Sequence, residues 1–261
     1  MSNNRYNIFQ AIFMSFYSKN LYRDVANNWG GKAFFYLLIL LMIVWIPFTM
    51  LTQTGLSISY KLYSPVFVQQ VPLMTIKNGI ISTPENKPYF ITIRNNKTLE
   101  TIAIIDTSGK YKSLQDANVG VLVTKNQIMT RSNDEIKIRQ LPENLNTTFD
   151  AKKINFYIGK FLNFAWIFIY IFFIAISFLY RIIQGLLFAI IGKFFNFIVE
   201  APLSYGQILQ IVMVAITPAI VLSTIVDLIQ TKFNHWLAFY FILTMAYLFF
   251  GIHANKVKPN N

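Results

Sequence analysis

The sequence predicts an α-helical membrane bundle of four transmembrane helices, with a small β-rich extracytoplasmic domain inserted between helices 1 and 2. Three observations predict it: four long uncharged runs, a shortage of charge, and one polar block of alternating residues between the first two runs. Of 261 residues, 54% are hydrophobic and 13% charged, the latter about half the share of an average globular chain. Twenty-five Phe and fourteen Tyr suit a lipid-facing protein with aromatic interface belts. The absence of cysteine excludes a disulfide framework, a thiolate metal site and a thiol nucleophile. A net charge of +12 in so apolar a chain points to cytoplasmic flanks and anionic lipid, and no nucleic acid is expected as a partner.

The uncharged runs set the spans, because about 20 apolar residues cross a bilayer and a charge at its centre costs several kcal/mol. The first lies between Lys32 and Lys61, the second between Lys160 and Arg181, the third between Glu200 and Asp227, the fourth between Lys232 and Lys256. The resulting division is an amphipathic cytoplasmic N-terminal segment at 1–31, transmembrane helix 1 at 32–54 and the β-rich domain at 55–155. It continues with transmembrane helix 2 at 156–182, a cytoplasmic interfacial segment at 183–203, and transmembrane helices 3 and 4 at 204–228 and 235–253. Residues 182–199 are too short between Arg181 and Lys193 to span, so a fifth helix is the weaker alternative. With four spans, Arg5, Lys19, Arg23, Lys32, Arg181, Lys193, Lys256 and Lys258 share one side, and the positive-inside rule makes both termini cytoplasmic. Ile8, Phe9, Ile12, Phe13, Phe16 and Tyr17 form a stripe at helical spacing. That stripe either lies in the cytoplasmic interface or packs against the bundle.

Strand patterning fills the polar block. Asn78-Gly79 between apolar runs is a hairpin signal, since a type I′ turn needs positive φ at both positions. "KPYFITIRNN", "LETIAIID" and "DEIKIRQL" alternate apolar and polar residues, a second hairpin is expected around Lys125-Asn126, and "YKSLQDA" reads as one helical turn. Five to seven strands are expected. The block holds no histidine, and Asp134-Glu135, adjacent on a strand, point to opposite faces. Catalysis, metal binding and a cofactor are therefore not expected. Asn96-Lys97-Thr98 and Asn146-Thr147-Thr148 match the glycosylation sequon, but in a bacterium they are polar turns.

Polar residues inside spans are functional suspects. Arg181 and Asp227 sit at span ends, where they can snorkel. Tyr205, Gln207 and Gln210 open the third span; the two glutamines share a face that would either hydrogen-bond across the bundle or line a polar vestibule. Pro218 breaks that span and frees a carbonyl one turn earlier, which Thr217 is expected to satisfy in part. His235 and His253 stand at opposite ends of the fourth span, too far apart for one metal ion.

Three stretches carry a resemblance: "GKAFFYLLILLMIVWIP", "ITIRNNKTLETIAIIDTSGKYKSLQDANVGVLVTKNQIM" and "LSYGQILQIVMVAITPAIVL". Together they resemble a bacterial membrane family catalogued as a domain of unknown function, one member of which is labelled a maltodextrin-utilisation membrane protein. The third-span pattern is also similar to Yip1-type membrane proteins. The resemblance runs from about residue 9 to 252 and implies the same fold, a bundle with one exported insert, but no catalytic residue.

The stretch "IIDTSGK" looks like a phosphate loop, yet no glycine precedes Gly109 by five positions and Tyr111 stands where a Walker loop needs Ser or Thr. Asp106 and Ser108 are instead expected to close an Asx turn, with Gly109 supplying positive φ. The function expected is that of a non-enzymatic inner-membrane accessory or scaffold, in contact with the lipid bilayer. Its extracytoplasmic domain would bind a membrane or envelope protein partner or another envelope component. A small-solute transporter or transport accessory subunit is the alternative.

Overall fold

A computed structural model describes residues 6–95, 98–132, 135–229 and 235–256. The chain divides into two compact units, Met1–Thr52 with Trp166–Asn261, and Gln53–Ala165. Four helices are long and apolar enough to cross a membrane: α3 (Lys32–Gln70), α5 (Ala151–Val199), the pair α6 (Tyr205–Ala215) and α7 (Thr217–Leu228) taken together, and α8 (Trp236–His253). Phe168, Phe172 and Leu179 of α5 are among many large apolar side chains that stand exposed, the surface expected of a helix whose solvent is lipid.

Two boundaries differ from the sequence expectation. The helix that starts at Lys32 does not end at 54 but runs to Gln70, and α5 begins at Ala151 and continues through residues 183–199. At 1.5 Å per residue these helices are about 58 and 74 Å long, well beyond the roughly 30 Å of a hydrocarbon core. Charges at Lys61, Arg181 and Lys193 limit where a bilayer can sit, but they do not interrupt the i→i−4 ladder. Nothing between Arg181 and Val199 breaks the helix either. The turn that does end it has Glu200 at φ 58°.

In the helical unit, α1 (Ile8–Met14) and α2 (Lys19–Asp24) lead through a π-helical turn (Val25–Trp29) into α3. The stripe expected at Ile8–Tyr17 splits: Ile8, Ile12 and Phe16 are partly buried, while Phe9, Phe13 and Tyr17 are exposed. Residues 19–29, part of the segment expected to be amphipathic, carry part of the core, with Leu21, Tyr22, Val25 and Trp29 all buried. Tyr22 donates to the Ser15 carbonyl at 2.7 Å, and Arg23 Nε donates to the Ala254 carbonyl at 2.6 Å, tying α2 to the end of α8. The close approach depends on Gly251, where a Cβ would lie 2.7 Å from both Ile211 Cγ2 and Tyr22 Cδ1.

The other unit holds eight strands among the described residues, one more than the upper expectation. The added one is β8 (Thr147–Phe149), which takes in Thr147 and Thr148 of the second sequon. β1 (Met74–Lys77) pairs with β2 (Ile80–Ser82) and with β8 in one antiparallel sheet. Asn78 and Gly79, at φ 49° and 73°, make the first turn as expected. The second sheet has the order β3 (Pro88–Asn95), β4 (Thr98–Asp106), β5 (Val121–Val123), β6 (Gln127–Ser132), β7 (Glu135–Gln140). Among the described residues only β4 and β5 run parallel, joined by a connection that includes the one-turn helix α4 (Leu114–Ala117). Adjacent residues of β4 point to opposite faces, so Ile104 packs with Leu114 and Leu122 while Ile105 packs with Met74, Ile81 and Ile91. Asp134 and the Asn96 sequon lie outside the described residues.

Substituting Gly251→Val forces Tyr22 or Ile211 to move, an overpacking cost of about 1–3 kcal/mol. Thermal unfolding of the purified full chain should show a lower melting temperature, with a much smaller drop for Gly206→Ala, where a Cβ meets nothing within 4 Å.

Candidate functional site

The polar residues of the third span pair off inside the helical unit. Gln207 and Ser204 form a capping box at the start of α6: Gln207 N donates to Ser204 Oγ at 3.3 Å, and Ser204 N donates to Gln207 Oε1 at 2.9 Å. Tyr205 donates to the Leu186 carbonyl of α5 at 3.0 Å. Gln210 Oε1 accepts from the Gly30 amide at 3.2 Å, just after the π-helical turn. Pro218 sits in the first turn of α7 and splits the span at Ile216, whose N–H is directed to the carbonyls of Val212 and Val214. The sequence expectation that Thr217 serves the freed carbonyl gives way to another contact: its hydroxyl pairs at 2.7 Å with the hydroxyl of Tyr36, both residues fully buried. Arg181 Nη1 donates to Gln184 Oε1 and to the Tyr240 hydroxyl, and its guanidinium lies over the rings of Tyr180 and Tyr240. Arg181 is thus held by its neighbours. The Ser204–Gln207 pair caps α6 itself, while Tyr205, Gln210, Thr217 and Arg181 link separate elements, and both are packing roles.

In the β-rich unit, α3 and α5 meet near the start of α5. Tyr60 donates to the Asn155 carbonyl at 2.6 Å, and a Cβ at Gly159 would lie 2.7 Å from the Tyr60 hydroxyl. Beyond Tyr60, the end of α3 faces β3 across an open groove of about 940 Å³, lined by Leu62, Val66 and Phe67 of α3, Ile91 and Ile93 of β3, and Ile158 of α5. Arg94 also lines it. Most of these apolar side chains are 38–61% exposed (Leu62, Val66, Phe67, Ile93, Ile158). A smaller cavity of about 450 Å³ shares Tyr60 and Asn155 with the groove and is lined by Lys152, Gly159, Lys160 and Asn163. Neither lining contains an Asp or Glu. At the edge strand β3, the Gln70 carboxamide takes the place of a neighbouring strand: Thr92 N–H donates to its Oε1, and its Nε2 donates to the Thr92 carbonyl at 3.1 Å. This lies beside the β-bulge between Ile91 and Thr92.

Residues 9–252 match the family described as Protein of unknown function (DUF1189). The chain belongs to that family. The match takes in residues of both compact units, including the lining of the groove and the polar links of the helical unit. No curated protein and no solved structure matches the chain.

The groove escaped sequence reasoning because residues 60–67 were assigned to the β-rich block. The available signal was Leu62, Tyr63, Val66 and Phe67, whose i, i+1, i+4, i+5 spacing continues a helical face past Lys61. Among the described residues no three His, Asp or Glu gather as metal ligands. Chemically, the groove and its basic neighbour offer apolar contact and positive charge, with no paired acid and base.

The two remaining sequence candidates, Asp106 and Gly109, lie in a separate turn. Asp106 is buried at 1% exposure; its Oδ1 accepts from the Ser108 amide and hydroxyl at 2.8 and 2.6 Å, and its Oδ2 from the Tyr111 amide at 2.7 Å. Gly109 follows at φ 85°. Burial pushes the carboxyl upward, but hydrogen bonds from Ser108, Tyr111 and Gly109 outweigh it and hold the group below its ordinary value. A carboxylate lowered in the folded state stabilises fully above its unfolded pKa, and that contribution disappears as pH falls through the folded value. Asp106→Asn should therefore weaken the β-rich unit by about 1–3 kcal/mol near neutrality. The difference from the parent should vanish in strong acid, as read by hydrogen exchange of β4 in the full chain.

Proposed function

We propose that this protein is a non-catalytic accessory or scaffold of a bacterial cytoplasmic membrane. Four spans leave both termini in the cytoplasm, and the β-rich unit outside it captures an envelope component. The observation that carries this reading is the apolar groove between α3, α5 and β3: large apolar side chains stand exposed in a concavity rather than closing into a core. Cavities of roughly 300–1,000 Å³ with apolar walls and few polar groups are the usual form of ligand sites. The orientation rests on Arg23, Lys32, Arg181, Lys193 and Lys256, which share one side when the four apolar helices all cross.

The chain has no cysteine, so single introduced cysteines report sidedness without background. In intact cells a membrane-impermeant maleimide should label Lys110→Cys and spare Asn20→Cys; the reverse pattern would overturn the orientation. A photoreactive benzophenone side chain placed at Val66 should capture a membrane component in intact cells, whereas the same group at Lys110 should not. Equal capture at both positions, or none at Val66, would remove the groove as a binding site.

A further inference from the structure

Resting on the reading of the groove as a binding site, we infer that its occupant is an anionic phospholipid: an acyl chain lies along α3 and β3, and the phosphate is held at Lys152 and Lys160. The two cavities share Tyr60 and Asn155 in their linings, so an apolar groove lies directly beside a basic one. Among the described residues Lys152, Lys160 and Arg94 make no ion pair, and no acidic residue lines either cavity. Asp150, the nearest carboxylate in sequence, is engaged at the helix start, where Oδ1 accepts from the amides of Lys152 and Lys153 at 2.9 and 3.3 Å. Lys160 lies over the Phe156 ring with its Nζ 4.6 Å from the centroid, an arrangement of aromatic and base typical of a membrane interface. Three bases with no acid attract an anion, and lysine is a phosphate binder that acts as a point charge.

Position favours lipid over a soluble ligand. The uncharged run of α5 begins immediately after Lys160, and Tyr60 is the last residue of that of α3. The groove therefore opens where both helices would leave the hydrocarbon, and a chain can enter it from the bilayer without crossing water. A peptide strand is a poorer fit. Adding one to β3 requires the outward N–H and C=O of Thr92, and the Gln70 carboxamide already holds both.

The test uses the full chain in proteoliposomes with trace photoactivatable phosphatidylglycerol or phosphatidylcholine of the same acyl chains, followed by peptide mapping. Phosphatidylglycerol should label the peptides containing residues 62–67 and 91–94 at least several-fold more than phosphatidylcholine. That preference should fall about fivefold for each of Lys152→Glu and Lys160→Glu, while Ile93→Asp should reduce labelling by both lipids. Equal labelling by the two lipids would overturn the anionic head group and leave the groove standing. Absence of label from those peptides with either lipid would overturn the groove itself. Loss of the preference in inorganic phosphate, but not in chloride of equal ionic strength, would show a free-anion site and overturn the lipid assignment. Lys112→Glu, remote from both linings in sequence, should leave the preference unchanged; an equal loss there would reduce the effect to general surface charge.

Discussion

The contact between Tyr60 and Gly159 is the constraint on which the groove depends. Tyr60 reaches the Asn155 carbonyl because residue 159 has no side chain. A Cβ there would stand inside van der Waals distance of the phenol, and the Tyr60 hydroxyl would have to leave its place against α5. The same Tyr60 forms the wall common to the apolar and the basic cavity. Gln53, two turns earlier on α3, donates to the Leu162 carbonyl of α5 at 2.6 Å and extends the antiparallel contact. With Gln70 closing the far end of α3 on Thr92, three side chains of one helix fix the groove's walls.

In the helical unit the links are of another kind. Hydroxyl and carboxamide groups reach from one element to another: Tyr36 pairs with Thr217 in the buried interior, half-buried Gln210 with Gly30, and exposed Tyr205 with Leu186. A buried polar group without a partner costs about 1–3 kcal/mol, so the fully buried Tyr36–Thr217 pair specifies which helices meet as much as it adds stability. The buried apolar side chains around α6, among them Ile208, Ile211 and Met213, supply roughly 1.5–3 kcal/mol each. A proline break at Pro218 is compatible with such packing because Ile216 and its neighbours remain fully buried.

What the sequence made legible was local. The Asn78-Gly79 turn follows from backbone sterics, the Asp106 turn from a short side chain reaching its own backbone two residues on, and the apolar helices from uncharged length. What it hid was tertiary or depended on an assumption. The polar block expected from residue 55 hid the end of α3, because a loss of apolar character marks only the end of an apolar run, and α3 and α5 pass Lys61 and Arg181 without interruption. Leu21, Tyr22, Val25 and Trp29 have core-like spacing, but Asn27, Asn28 and Gly30 among them read as surface until α6 and α8 cover that face. The groove is built from α3, β3 and α5, far apart in sequence, and no local pattern states that Val66 and Ile93 face one space.

The most direct measurement is nuclear Overhauser contact between lipid acyl protons and protein methyl groups, with the methyl-labelled full chain in nanodiscs of anionic phospholipid. The expected result is acyl contacts at the methyls of Leu62, Val66, Ile93 and Ile158, and none at Ile104 or Leu122 in the core of the sheet. Acyl contacts confined to residues of the uncharged runs, with water contacts alone at Val66 and Ile93, would contradict the lipid-binding groove.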